Sequence, residues 1–222
     1  MKYTEMTQWL ITNGVQEEML TLLVAICLLA TIVSITRYIV GTKTYGIYAP
    51  IILAIAYSYS GLKYGLAITI IVILSSMLSY SILKKIRMHY ITRIAANYCM
   101  LAMGLLLFLL IVNKYKIGLG NISAVPALSI ISIVALSDFF TKQQIKKSFK
   151  NSIMVLIGTV TVATIGWFII TREFVSMYFV NNLILIPLLL AINILLGQFS
   201  GLRLKDRFRF GSIVNGNENA KS

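Results

Sequence analysis

A chain of 222 residues with 58% hydrophobic and only 12% charged residues, and a mean hydropathy of +0.85, has too little polar surface to coat a water-soluble globule of this size. That excludes a water-soluble domain and requires an integral membrane protein. The formal net charge of +13, from 20 cations against 7 anions, would suggest nucleic acid in a soluble chain; here the cations cluster between apolar runs, so topology accounts for them and no nucleic-acid partner is expected.

A spanning helix needs about 20 mostly apolar residues. Residues 1–18 carry Glu5, Glu17 and Glu18 where a secretory leader would carry cations, and no small-residue cleavage site follows the first apolar run. An extracytoplasmic N-terminal segment and a retained first span over residues 19–35 are therefore predicted. The stretch from Arg37 to Pro50 then interrupts the apolar chain with Gly41, Lys43, Thr44 and Gly46. Residues 48–59 form a short second span, whose Pro50 suits a first helical turn because its missing N–H would be unpaired there anyway. A third span over 64–83 ends at the basic group Lys84, Lys85, Arg87 and Arg93, and a fourth covers 94–112. Pro126 opens a short fifth span, 127–136, predicted to stop at Asp138 and a polar, lysine-bearing loop. Spans over 153–170 and 183–196 complete an all-α membrane domain of seven transmembrane helices, residues 19–210. The polar tail 211–222 is expected to be a disordered cytoplasmic segment.

Seven crossings place the termini on opposite faces, and the cations choose between the two orientations. With the N-terminus outside, only Lys2, Lys63, Lys114, Lys116 and Arg172 of the 20 cations fall outside. The bias is what the positive-inside rule demands, so the chain is predicted to lie N-out and C-in. In that frame the Arg37 stretch sits at the cytoplasmic end of spans one and two. A related stretch from Lys114, with a cation-tyrosine pair, Gly118, Gly120 and Pro126, sits at the outer end of spans four and five. Equivalent segments on opposite faces predict an inverted repeat of spans 1–3 against spans 4–6; the competing reading is coincidence, since Gly, Tyr and Pro are common near membrane interfaces.

Two Pro-led helices beginning within or near the membrane would aim their N-terminal N–H groups, roughly half a positive charge each, at one site. Gly41, Thr44, Gly46, Pro50, Gly118, Asn121, Ser123 and Pro126 are the candidate substrate-binding residues, suited to an anionic group such as a carboxylate. Equally, the glycines could serve only tight turns and close helix packing. The cations Lys84, Lys85, Arg87, Arg93, Arg203, Arg207 and Arg209 set topology and meet anionic lipid, and they are also the candidate partner-docking set. His89 and the few acids offer no nucleophile, base and orienting group together, so no enzyme activity and no cofactor are expected. Asp138 reads either as a solvated residue beside lysines or as a functional intramembrane acid. Cys27 and Cys99 have no paired spacing, so neither a disulfide nor a metal site is indicated.

Several of these residues resemble a bacterial family whose seven-helix membrane domain is usually fused to an inactive transglutaminase-like domain. Arg37, Gly41, Thr44, Gly46 and the run Pro50-Ile51-Ile52-Leu53-Ala54 are similar to its Arg, Gly, Thr-Phe-Gly-Thr-Phe and Pro-Val-Leu-Ile-Ala core. Ser60-Gly61-Leu62, Gly65-Leu66, Thr92-Arg93-Ile94-Ala95-Ala96, Val125-Pro126 and the run Leu196-Gly197-Gln198-Phe199-Ser200-Gly201-Leu202-Arg203-Leu204 follow in the family's order, over roughly residues 20–210. The chain departs at Ser137-Asp138-Phe139-Phe140, where the family tends to carry Glu-Arg, and at Leu188 after Pro187, where it carries an acid. The first half is also similar to the membrane subunit of poly-γ-glutamate synthase. The resemblance implies a multi-pass protein of the bacterial cytoplasmic membrane, with a transglutaminase-like envelope protein and a cytosolic ATP-grasp-type amino-acid ligase as partners. It would be a non-enzymatic subunit that docks the ligase and anchors or translocates its anionic peptide product. A secondary transporter for a small anion and a structural scaffold of an envelope complex are the alternatives, and a homo-oligomer is compatible with each.

Overall fold

The computed structural model describes residues 5–115, 125–146 and 149–198, and all its regular structure there is helical. A short helix α1 (Glu5–Thr12) precedes α2 (Glu17–Ile35), which runs on through a π-helical turn, Thr36–Val40. Then come α3 (Tyr48–Ser60), α4 (Leu62–Leu83), α5 (Tyr90–Tyr115), α6 (Ala127–Lys146), α7 (Phe149–Ile170), α8 (Glu173–Asn181) and α9 (Leu185–Gln198). The seven predicted spans correspond to α2 through α7 and α9. Four stretches are long and apolar enough to cross a bilayer: Glu17–Val40, Leu62–Leu83, Ile91–Tyr115 and Asn151–Ile170. At 13 residues, α3 is about 20 Å long and falls short of the ~30 Å hydrocarbon core.

The bundle is apolar on the outside as well as the inside. Ile70, Leu74 and Leu78 make an exposed stripe on α4, and Leu106, Leu107 and Leu110 on α5 and Ile157, Ile165 and Phe168 on α7 are exposed too. Water would penalise such a surface, whereas lipid tails cover it without cost. At the centre stands the short helix, with Ala54 and Tyr57 of α3 fully buried and α4, α6 and α7 packed around it. Small residues set the spacing. A Cβ at Gly65 would strike the Tyr57 ring, and one at Gly166 would strike Leu29, so α3 and α2 approach their neighbours more closely than any larger residue permits. The Tyr57 hydroxyl meets the Thr69 hydroxyl at 2.9 Å, which satisfies both inside the apolar core.

The structure departs from the sequence reading in three places. Helix α6 does not stop at Asp138; it continues to Lys146. Its apolar face persists past the acid, since Phe140 is fully buried and Thr141 is buried with its hydroxyl on Ser76 at 3.1 Å. Two short helices were not anticipated. In α1 the buried Thr7 hydroxyl donates to the Val180 carbonyl of α8 at 2.9 Å, so the N-terminal segment is tied to the loop region between α7 and α9.

Helix α9 is held to α2 by Asn193, whose side-chain amide donates to the Thr31 hydroxyl at 2.8 Å and to the Leu189 carbonyl at 2.9 Å. Interhelical hydrogen bonds in membranes average about 0.6 kcal/mol. A double-mutant cycle of Asn193→Ala with Thr31→Val, read by reversible unfolding in mixed micelles, is expected to give a coupling of about that size.

Candidate functional site

The least regular part of the bundle is also among its best held. After the π-helical turn the chain reverses at Gly41, whose φ of 82° is left-handed. Three donors converge on the Thr36 carbonyl: the Gly41 N–H, the Thr42 N–H at 3.1 Å and the Thr42 hydroxyl at 3.0 Å. The next turn is closed between Thr44 and Gly46. The Gly46 N–H donates to the Thr44 carbonyl at 2.9 Å, the Thr44 hydroxyl returns to the Gly46 carbonyl at 2.9 Å, and Gly46 has φ 66°. Both glycines occupy conformations that L side chains adopt at a cost.

Residues 41–47 are seated on α7. The Tyr45 N–H donates to the Thr159 hydroxyl at 3.0 Å, and the Tyr45 hydroxyl donates to the Ser152 carbonyl at 2.8 Å. The ring of Tyr45, itself buried, stacks on Phe139 of α6 with centroids 6.5 Å apart. The Lys43 carbonyl lies against Gly158, where any Cβ would collide with it. Gly158 is the eighth residue of the apolar stretch Asn151–Ile170, so the loop meets α7 about 10 Å from that end. Irregular backbone at such depth survives only where protein or a polar cavity satisfies it, and Thr159 and Thr44 supply part of that here. Helix α3 thus begins level with the apolar stretch of α7, with Pro50 buried in its first turn.

The predicted substrate residues divide. Gly41, Thr44, Gly46 and Pro50 come together in this loop and the helix it starts. Pro126 lies just before α6 and is exposed; thirteen residues separate it from Phe139, so it is about 20 Å along α6 from the loop. The two Pro-led starts thus occupy opposite ends of the α3–α6 contact. Gly118, Asn121 and Ser123 lie outside the described residues, as do Arg203, Arg207 and Arg209. Lys84, Lys85 and Arg87 are exposed in the turn between α4 and α5, while Arg93 is half-buried in the first turns of α5. Among the described residues no group of three or more His, Cys, Asp or Glu could hold a metal.

Asp138 is half-buried and bonded between helices. The Tyr98 hydroxyl of α5 donates to its Oδ2 at 2.6 Å, and its Oδ1 is buried without a partner. At the far end of the bundle, Glu17, Glu18, Thr21, Ser58 and Tyr59 rim a cleft of about 580 Å³ floored by Leu22, Ala25, Ile55 and Ile170.

Sequence reasoning missed Tyr45, Gly158 and Thr159. One signal was available: a glycine inside an apolar helix costs about 1 kcal/mol relative to alanine, so Gly158 and Gly166 in a single span ask for neighbours that need the room.

The family described as seven transmembrane helices usually fused to an inactive transglutaminase matches residues 6–214. No curated protein and no solved structure matches the chain.

Proposed function

Because the chain belongs to the family of seven-transmembrane-helix proteins usually fused to an inactive transglutaminase, we propose that it is a non-enzymatic membrane subunit working with a transglutaminase-like envelope partner. It docks a cytosolic ATP-grasp-type amino-acid ligase and anchors or translocates the anionic peptide product. The observation that carries this reading is the seat of residues 41–47 on Gly158 and Thr159. A helix that starts inside the bilayer leaves first-turn N–H groups with no carbonyl in their own helix, and such ends favour carboxylates. Arg37 and Lys43 are exposed beside that loop and add positive charge along the approach.

The orientation proposed is N-out and C-in, in the cytoplasmic membrane of a bacterium. Lys84, Lys85 and Arg87 then present a cytoplasmic dock. The inverted repeat belongs to the same proposal, and an exchange in packing supports it: α3 packs on α7 as α6 packs on α4, while α3 and α6 pack on each other.

Affinity purification tests the docking. The native protein is expected to recover an ATP-grasp ligase from a membrane extract, and Lys84→Glu/Lys85→Glu/Arg87→Glu is expected to lose it at an unchanged yield of folded membrane protein. Recovery of no ligase by either form would overturn the reading. A second reading, a secondary transporter for a small anion, is favoured by the half-length α3, since discontinuous helices build transporter sites. Coupled anion uptake by purified protein in proteoliposomes, without any ligase, would select it.

A further inference from the structure

Helix α4 packs on both α5 and α6, and the seam along it holds polar groups that neither reading uses. Two hydrogen bonds define it: Tyr98 of α5 to Asp138 of α6 at 2.6 Å, and Ser76 of α4 with Thr141 of α6 at 3.1 Å. On the same three helices Ser79 Oγ, both side-chain polar atoms of Asn97, Ser137 Oγ, Asp138 Oδ1 and Arg93 Nε are buried with no partner among the described residues. Ser79 and Ser137 are 0% exposed and Asn97 is 3% exposed. The helical period relates these positions, since Ser79 is one turn from Ser76, Ser137 one turn from Thr141, and Arg93 one turn from Asn97.

An isolated hydroxyl or amide left unbonded in an apolar medium costs several kcal/mol, roughly 2–7 depending on the reference state. Three such side chains, Ser79, Asn97 and Ser137, one on each of three membrane helices, would not be kept dry for packing alone. The unmet groups also have a definite chemistry. A carboxylate oxygen accepts only, and a guanidinium Nε–H donates only, while amide and hydroxyl groups do both. A lone anion would be repelled by Asp138. A lone cation would be repelled by Arg93 and by Lys84, Lys85 and Arg87 in the turn before α5. A solute carrying both charges satisfies both ends.

We propose that the α4–α5–α6 seam is a water-filled intramembrane site for a small zwitterion, an amino acid or short peptide, with its ammonium group on Asp138 and its carboxylate toward Arg93. Asn97, Ser79 and Ser137 supply the neutral hydrogen bonds along the seam. The site shares no residue with the 41–47 loop and requires no ligase, so it stands or falls separately from the docking reading.

Thiol labelling of the purified protein in nanodiscs tests it, after replacement of Cys27 and Cys99 by alanine. A thiol in apolar surroundings resists ionisation, so Asn97→Cys and Ser137→Cys are expected to react with a charged methanethiosulfonate at least about tenfold faster than Leu101→Cys, the dry position one turn from Asn97. Millimolar glycine or glycylglycine should slow that labelling, whereas acetate and methylammonium at the same concentration should not. Asp138→Asn should abolish the protection and Asp138→Glu should retain it, with both variants eluting as monodisperse species. Labelling no faster than at Leu101→Cys would overturn the proposal, showing a dry seam. Fast labelling without protection would also overturn it, leaving only a hydrated one, as would equal protection by acetate or methylammonium. Should one cysteine variant fail to fold, the other reads the same quantity.

Discussion

Replacing Gly158 with alanine is expected to destabilise the folded protein by about 1–3 kcal/mol, the usual cost of forcing a methyl group into a packed site. The cause is specific. The new Cβ would collide with the Lys43 carbonyl oxygen, a backbone atom, so no side-chain rotation relieves the contact. The loop cannot simply back away either, because two residues later the Tyr45 N–H and hydroxyl are both bonded to α7. Reversible unfolding in mixed micelles measures the effect. Gly197→Ala is the control: among the described residues nothing stands within 4 Å of a Cβ there, and the substitution is expected to be neutral or to stabilise by up to about 1 kcal/mol through helix propensity. Equal losses at both sites would mean that residues 41–47 do not rest on α7.

Tyr45→Ala is expected to cost more, about 3–5 kcal/mol, as for other large buried aromatic side chains. Its ring fills the space between α6 and α7, stacked on Phe139, and its hydroxyl is the partner of the Ser152 carbonyl. Tyr45→Phe separates the two contributions. It keeps the ring and is expected to lose only about 1 kcal/mol for the hydrogen bond, with a further penalty where the Ser152 carbonyl finds no other donor. Whatever transport or anchoring activity the protein has should follow the same order, with Tyr45→Phe near the native level and Tyr45→Ala greatly reduced. A Tyr45→Ala protein as stable and active as the native one would contradict the placement of the ring.

Much of the fold was legible because lipid imposes a simple rule on helices. Runs of about 20 apolar residues must span, and the runs around Val24, Val72, Met103 and Val162 became the four long apolar stretches. The short run opened by Pro50 was legible too, as proline and the paired glycines Gly41 and Gly46 fix local backbone without tertiary context. The end of α6 was misread because hydropathy weighs Asp138 and Lys142 alike wherever they point. In the fold Asp138 turns to Tyr98 while Phe140 carries the apolar face onward into the core. The seat on α7 was not legible at all. Tyr45 and Thr159 are 114 positions apart, and neither is distinguished from the chain's other tyrosines and threonines until the fold brings them together. The polar seam was hidden for the same reason, since Ser79, Asn97 and Ser137 each look unremarkable in an apolar run and acquire meaning only as neighbours.

The claim on which the functional reading depends is that residues 41–47 lie inside the bilayer, at the level of Gly158 and not at the membrane surface. Spin-label depth in nanodiscs tests it directly, from the relative accessibility of the label to oxygen and to a water-soluble nickel complex. With Cys27 and Cys99 replaced, labels are compared at Ile47→Cys in the loop, Ile157→Cys on the exposed face of α7 and Lys85→Cys in the basic turn. The predicted depth of the Ile47 label matches that at Ile157, about 10 Å below the end of the span near Asn151. A depth equal to that of the Lys85 label would put the loop at the surface and contradict the account.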